Sequence, residues 1–124
     1  MFSTNLEFNG NAKAAMAFYA DVFGYELKEN DIWFGEDGKV AHGEFKIYNT
    51  MLMFSDGANE VKYKGFTFAI NLTDETELRA RYDKMNQAAE VIIPLGKVEF
   101  SECYGVLKDQ FGIHWQFCLD IRLA

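Results

Sequence analysis

The chain has 124 residues, close to half of them apolar, and a formal net charge of −7. A chain of this length folds as one domain and buries roughly 65–70% of its extended surface. No stretch approaches the ~20 apolar residues of a membrane helix, and the acidic charge opposes binding to a nucleic-acid backbone.

The first ten residues, MFSTNLEFNG, lack the basic segment and apolar block of a signal peptide, so we expect a cytoplasmic protein. The two cysteines, Cys103 and Cys118, have no metal-type spacing. We therefore expect buried free thiols rather than a disulfide. The negative charge is typical of ordinary soluble proteins, and it also leaves open a cationic ligand.

In the first half, a predicted strand at Leu6–Phe8 leads into a helix that begins after Asn11, an N-cap candidate, and stops at Gly24. One face of this helix is apolar. The alternating pattern then predicts three strands, broken by the turn sequences EDGK and NT, at Tyr25–Phe34, Lys39–Tyr48 and Met51–Ser55.

The second half repeats this order, with a strand at Gly65–Leu72 and a helix within residues 73–89. Asp74 and Glu77 stand in capping-box-like positions at the start of that helix. Three strands follow, at Val91–Val98, Ser101–Lys108 and Ile113–Leu119. The sequence therefore predicts an α+β fold of two βαβββ modules, about residues 1–57 and 62–124, within a single domain of residues 1–124.

One helix for every four strands can cover only one face of a sheet. Because strand side chains alternate between faces, the positions opposite the helices can be read from the sequence. They are mostly polar and carry few charges, which suits a partly wet ligand cleft. They are Asn5, Glu7, His42, Glu44, Lys46, Thr67, Ala69, Asn71, His114, Gln116 and Cys118.

Several segments together resemble the PhnB-like branch of the vicinal oxygen chelate superfamily: NGNAKAAMAFYADVFG, GKVAHGEFKI, MLMFSD, GFTFAINL, PLG and YGVLKDQFGIHWQF. That superfamily contains glyoxalase I, extradiol dioxygenases, and fosfomycin-resistance and bleomycin-binding proteins. The resemblance implies that the modules curl into one mixed-sheet cup with the helices outside, often completed across a homodimer. Some PhnB-like proteins also carry a methyltransferase label.

The resemblance also implies where a metal would bind, because metal-using members take ligands from the first, fourth, fifth and eighth strands. Those positions fall at Asn5 (or Thr4 after a slip of one residue), Met53, Thr67 and Gln116. Only Gln116 is a residue type that the superfamily uses, and divalent metals need several strong donors. We therefore expect neither the usual metal site nor a cofactor.

Other polar residues leave three interpretations open. His42, Glu44 and His114, with Glu7 beside them, could form a relocated metal site. They could instead act as acids and bases or contact an organic ligand. The third interpretation is that they are simply solvated.

Two functions follow from these residues. The first is a metal-independent protein that binds a small organic molecule, with Trp33, Phe34, Phe100 and Tyr104 as candidates for a stacking wall. The second is a glyoxalase-type lyase or isomerase, or a dioxygenase, with a relocated metal or none. Its catalytic candidates are Glu7, Glu44 and His42.

Other chemistry has less support in the sequence. No glycine-rich loop joins a strand to a helix, as a nucleoside cofactor fold requires. The acidic pairs Asp56/Glu60 and Glu99/Glu102 are interpreted as solvated turns rather than catalytic carboxylates. The binding function is the favoured interpretation.

Overall fold

The computed structural model describes residues 2–57 and 60–123. The chain divides into two compact units, Met1–Val61 and Lys62–Ala124, which we call module 1 and module 2. In the described residues each module contains an α-helix and a four-stranded mixed sheet. The predicted α+β class and the duplicated βαβββ order are therefore confirmed, whereas the cup and the single domain stay predictions.

Module 1 has the sheet order β1-β4-β3-β2, in which β1 runs parallel to β4 and the other neighbours are antiparallel. Its elements are β1 (Ser3–Phe8), α1 (Ala12–Phe23), β2 (Ile32–Phe34), β3 (Val40–Ile47) and β4 (Thr50–Asp56).

Module 2 repeats this arrangement with the order β5-β8-β7-β6, in which β5 runs parallel to β8. Its elements are β5 (Phe68–Leu72), α2 (Glu75–Met85), β6 (Glu90–Val98), β7 (Ser101–Lys108) and β8 (His114–Leu119). No helix in the part of the chain that the structure describes is long and apolar enough to cross a membrane.

The core of each module lies between its helix and one face of its sheet. In module 1, Tyr19 of α1 is fully buried and stacks on Phe54, which in turn stacks on Phe45 at 5.4 Å between ring centroids. In module 2, Tyr82 of α2 packs edge-on against Phe117. The apolar alternation predicted for these strands is confirmed, so their opposite faces carry the polar positions.

Two predicted strands are shorter than expected. The strand predicted at Tyr25–Phe34 keeps only Ile32–Phe34, because residues 29–31 form a 3₁₀ turn. The Asp31 carboxylate accepts hydrogen bonds from the Lys28 backbone amide at 2.8 Å and from the Tyr25 hydroxyl at 2.9 Å. The strand predicted from Gly65 begins instead at Phe68, since Gly65 has a φ of +88°, outside strand geometry.

The two helices are capped differently. Asp74 caps α2 as predicted, accepting hydrogen bonds from the backbone amides of Thr76 and Glu77. Asn11 occupies the N-cap position of α1, but its side chain makes no cap hydrogen bond. Asp56, at the end of β4, accepts from the amides of Gly10 and Ala12 instead. The interpretation of Asp56 as a solvated turn carboxylate is therefore wrong.

Candidate functional site

The sheet face opposite α1, which we call the open face of module 1, carries the polar residues that the alternation predicted. On β1, Asn5 and Glu7 are exposed. Asn5 is the register partner of Met53 on β4, which is also paired with Glu44 on β3. Trp33 on the edge strand β2 pairs with His42.

Two contacts join three side chains on this face, with His42 in the middle. His42 Nε2 lies 2.8 Å from Glu44 Oε1. Because a carboxylate only accepts hydrogen bonds, the imidazole is the donor. The Trp33 and His42 rings are 5.5 Å apart at their centroids, and Trp33 is 52% exposed. The face therefore presents an open indole beside a partly exposed imidazole–carboxylate pair.

Phe34 does not belong to this face. Lys13 of α1 places its Nζ atom 5.8 Å from the centre of the Phe34 ring, so the ring lies on the helix side of the sheet. Of the two aromatic residues predicted for a stacking wall in module 1, Trp33 lies on the open face and Phe34 does not.

The corresponding open face of module 2 carries Tyr104 and Gln116. The Tyr104 hydroxyl donates a hydrogen bond of 3.0 Å to Gln116 Oε1. Phe100 packs edge-on against Tyr104, with 4.9 Å between the ring centroids. His114 lies two residues before Gln116 and pairs in register with Lys108.

Thr67 is exposed and precedes β5, so it is not the strand neighbour of Gln116. Ala69 holds that register position instead. Strand alternation had placed both Thr67 and Ala69 on this face, and the register identifies Ala69 as the neighbour of Gln116. Since His114 lies in module 2, its convergence with His42 and Glu44 stays a prediction.

Residues 1–118 match the model of a protein family described as 3-demethylubiquinone-9 3-methyltransferase. The chain belongs to this PhnB-like family.

Relatives and solved structures are similar to this chain in sequence or in fold. An uncharacterized protein of Mycobacterium bovis is 27% identical over 122 residues, covering 90% of this chain and 78% of that protein. The PhnB protein from Bacillus cereus has a TM-score of 0.78 and 28% identity, covering 96% of this chain and 98% of its own. A glyoxylase/bleomycin resistance protein/dioxygenase domain from Frankia sp. shares the fold, with a TM-score of 0.72 and 10% identity, covering 96% and 95% of the two chains.

The side chains of this PhnB-like protein do not fit the metal site implied by the superfamily resemblance. Asn5 and Met53 offer an amide and a thioether, and Gln116 Oε1 already accepts from Tyr104. Divalent ions need several converging carboxylate, imidazole or thiolate ligands. Within residues 2–57 and 60–123, no group of three or more His, Cys, Asp or Glu side chains could hold a metal ion.

The two thiols of this PhnB-like protein are buried and free, as predicted. Burial raises the pKa of the Cys103 thiol, which disfavours the reactive thiolate. Cys103 faces the helix side of β7, and Cys118 is paired in register with Tyr104 on the open face. Cys103 therefore lacks the setting of a catalytic nucleophile.

Proposed function

We propose that this PhnB-like protein binds a small organic molecule on the open faces of its sheets without using a metal. The observation that carries the proposal is a row of side chains on the open face of module 1, in which the exposed Trp33 ring lies against His42 and His42 bonds to the Glu44 carboxylate. An apolar surface with a few converging polar groups is what small-molecule sites share.

The charge of this surface favours an organic cation. Two carboxylates, Glu7 and Glu44, lie with Lys46 on the open face of module 1, and the whole chain carries a net charge of −7. An indole ring attracts a cation through its quadrupole, contributing about 0.5–2 kcal/mol. A ligand with a cationic group could therefore contact the Trp33 ring while its charge faces Glu44.

The proposal is tested by titrating ¹⁵N-labelled protein with benzyltrimethylammonium. The chain has two tryptophans, Trp33 in module 1 and Trp115 in module 2, so their indole N–H signals report separately. We expect the Trp33 signal to shift and saturate. Trp33→Ala should weaken binding by about 3- to 30-fold, from the loss of the cation–π contact.

Phe34→Ala is the matched control, because Phe34 is the next residue and is also 52% exposed, but lies on the helix side. Its affinity for the cation should equal that of the unaltered protein. Equal losses in the two variants, or no binding of the cation by the unaltered protein, would contradict the proposal.

A second candidate function is catalysis of the glyoxalase or dioxygenase type. The hydrogen bond between His42 and Glu44 favours it, because a carboxylate that holds one ring nitrogen orients the imidazole for acid–base chemistry. In this function His42 or Glu44 would remove a proton from the substrate. Metal content after purification without chelator separates the two functions, since one tightly held ion per chain would favour the enzyme.

Methyl transfer, the activity in the name of the family, has less support in the geometry. Asp56 accepts from the first amides of α1, and Asp74 accepts from those of α2. Both helix N-termini are therefore capped by the protein's own carboxylates, and the turns that lead into them contain one glycine at most, unlike the glycine-rich loop of a nucleoside-cofactor fold. Calorimetry with S-adenosylhomocysteine, the methyl-transfer product that lacks the sulfonium charge, would test this directly, with binding expected to be absent.

We also propose, as predicted from the sequence, that the protein is cytoplasmic and forms a homodimer. The family resemblance supports a dimer. Light scattering coupled to size-exclusion chromatography measures it, with a mass of twice the 14.2 kDa chain as the expected result.

A further inference from the structure

The turn between β1 and α1 contains the one Asn-Gly pair of the sequence, Asn9–Gly10, and both residues are exposed. An asparagine that precedes glycine is chemically labile, because glycine has no side chain to hinder its backbone nitrogen. That nitrogen can attack the side-chain amide of the asparagine and close a succinimide ring. The turn is therefore a candidate site of covalent modification.

In the folded chain, hydrogen bonds hold the peptide groups on both sides of Asn9. After it, the Gly10 amide donates to Asp56 Oδ1 at 2.8 Å. Before it, the Phe8 carbonyl accepts from the Gly57 amide at 2.9 Å. The nitrogen that would attack Asn9 is therefore tied, together with its surroundings, to the end of β4.

These bonds oppose both requirements of ring closure. The Gly10 nitrogen must lose its proton before it attacks, and the Asp56 carboxylate stabilises the N–H form by accepting from it. A carboxylate is far too weak a base to remove an amide proton itself. The peptide group must also rotate toward the Asn9 side chain, which breaks the bond to Asp56. Reaction at Asn9 therefore requires the turn to open.

Asp56 is itself fixed by further bonds, so the turn does not open easily. Its Oδ1 atom also accepts from the Ala12 amide at 3.0 Å, and its Oδ2 atom accepts from the Val40 amide at 3.1 Å. The first turn of α1 and the start of β3 thus hold the carboxylate beside Gly10. Freeing the Gly10 amide costs more than breaking one solvent-exposed hydrogen bond.

We propose that Asn9 is a latent deamidation site, which Asp56 keeps unreactive in the folded chain and which reacts when the turn opens. In the first step the Gly10 nitrogen bonds to Cγ of Asn9. Its proton passes through water to the side-chain nitrogen, which leaves as ammonia. Water then adds to either carbonyl carbon of the succinimide and opens the ring, giving aspartate or isoaspartate. Water is the only co-reactant.

The modification would loosen module 1. Both products place a new negative charge in the turn that Asp56 holds, and isoaspartate also adds a methylene group to the backbone. The Gly10 and Ala12 amides would then no longer meet Asp56 together, and α1 would lose its cap. The Trp33 surface lies on the sheet face opposite α1, so this inference is independent of the proposed function.

The test is incubation at mildly alkaline pH, with peptide mass spectrometry to follow the replacement of NH₂ by OH at Asn9. We expect slow conversion in the unaltered protein and conversion at least about tenfold faster in Asp56→Ala, because the turn opens more often. Asp109→Ala is the matched control, since it removes a buried carboxylate that accepts backbone amides in module 2. Its conversion of Asn9 should stay close to that of the unaltered protein.

A second measurement needs no variant and decides the matter if Asp56→Ala does not fold. The same opening frees the Gly10 amide for hydrogen exchange, so its protection should match, within about tenfold, the slowing of Asn9 conversion relative to the chain unfolded in urea. Three results would overturn the inference: an unprotected Gly10 amide, equal conversion of the folded and unfolded chains, or an Asp56→Ala rate no higher than that of the unaltered protein. A rate lower in Asp56→Ala would mean that Asp56 promotes the reaction.

Discussion

At the scale of single residues, Asp109 has one role in a local turn and a second role that the turn sequence does not reveal. The sequence DQFG indicates a turn, and Asp109 accepts from the backbone amides of Phe111 and Ile113, as such turns require. Its second oxygen accepts from the Trp115 indole at 2.8 Å, and Asp109 is only 4% exposed. The turn could be predicted from local chemistry, but the buried indole partner could not.

Asp109→Ala should lower the free energy of unfolding by about 3 kcal/mol, because the indole N–H and two amides lose their acceptor in a buried place. Gln110→Ala, at the exposed neighbouring position, should change it by less than about 0.5 kcal/mol. Urea unfolding followed by circular dichroism measures both. Equal effects of the two substitutions would show that the Asp109 hydrogen bonds contribute little.

The cysteines give a second prediction at this scale. Because burial raises the pKa of Cys103, the thiol of the folded chain ionises at higher pH than that of the unfolded chain. Stability should therefore fall as the pH rises above the unfolded value. Reaction of the folded protein with Ellman's reagent should be slow at pH 8 and become fast in urea; fast labelling without urea would contradict this.

At the scale of elements, one helix is capped by a residue next to it in sequence, and the other by a residue far along the chain. The α2 cap is visible in the sequence because Asp74 bonds to amides two and three residues ahead. The α1 cap is supplied by Asp56, which is 44 residues away from Ala12. Local patterns predicted both helices, and only the tertiary fold determines which carboxylate caps the first.

Asp74→Ala should lower the free energy of unfolding by about 1 kcal/mol, the usual value for loss of a helix cap. Asp56→Ala should cost more, about 2–3 kcal/mol, because Asp56 also accepts from the Val40 amide of β3 and so ties two segments to β4. Thermal and urea unfolding of the two variants provide the comparison. A loss in Asp56→Ala no larger than in Asp74→Ala would refute the proposed role.

Gly43 on β3 tests the packing between helix and sheet. A Cβ atom there would collide with the side chain of Met16, which is fully buried on α1. Gly43→Ala should therefore destabilise module 1 by about 1–3 kcal/mol through overpacking. In a double-mutant cycle with Met16→Ala, the two losses should be less than additive; strict additivity would mean that the two sites do not meet.

At the scale of the whole molecule, element order and strand alternation were enough to predict the duplicated α+β fold. Alternation also placed Glu44 and His42 on one face, where they bond to each other. It placed both Thr67 and Ala69 on the open face, but it could not fix where β5 begins, and the family resemblance put a ligand position at Thr67 where the register places Ala69 beside Gln116. Register depends on which residues pair across strands that are far apart along the chain, and a single sequence does not specify that pairing.

The proposed function depends on binding that needs no metal. The residues at the superfamily's metal positions are weak donors, while the Trp33 surface offers an aromatic ring beside a carboxylate. If that chemistry is sufficient, removing metals must leave the binding intact.

The most direct measurement is therefore calorimetry of benzyltrimethylammonium binding before and after exhaustive dialysis against a chelator. We predict that chelation leaves the Kd unchanged within about twofold, and that Trp33→Ala weakens binding by about 3- to 30-fold before and after chelation. Loss of binding after chelation, with recovery on adding zinc, manganese or iron, would contradict the metal-independent site.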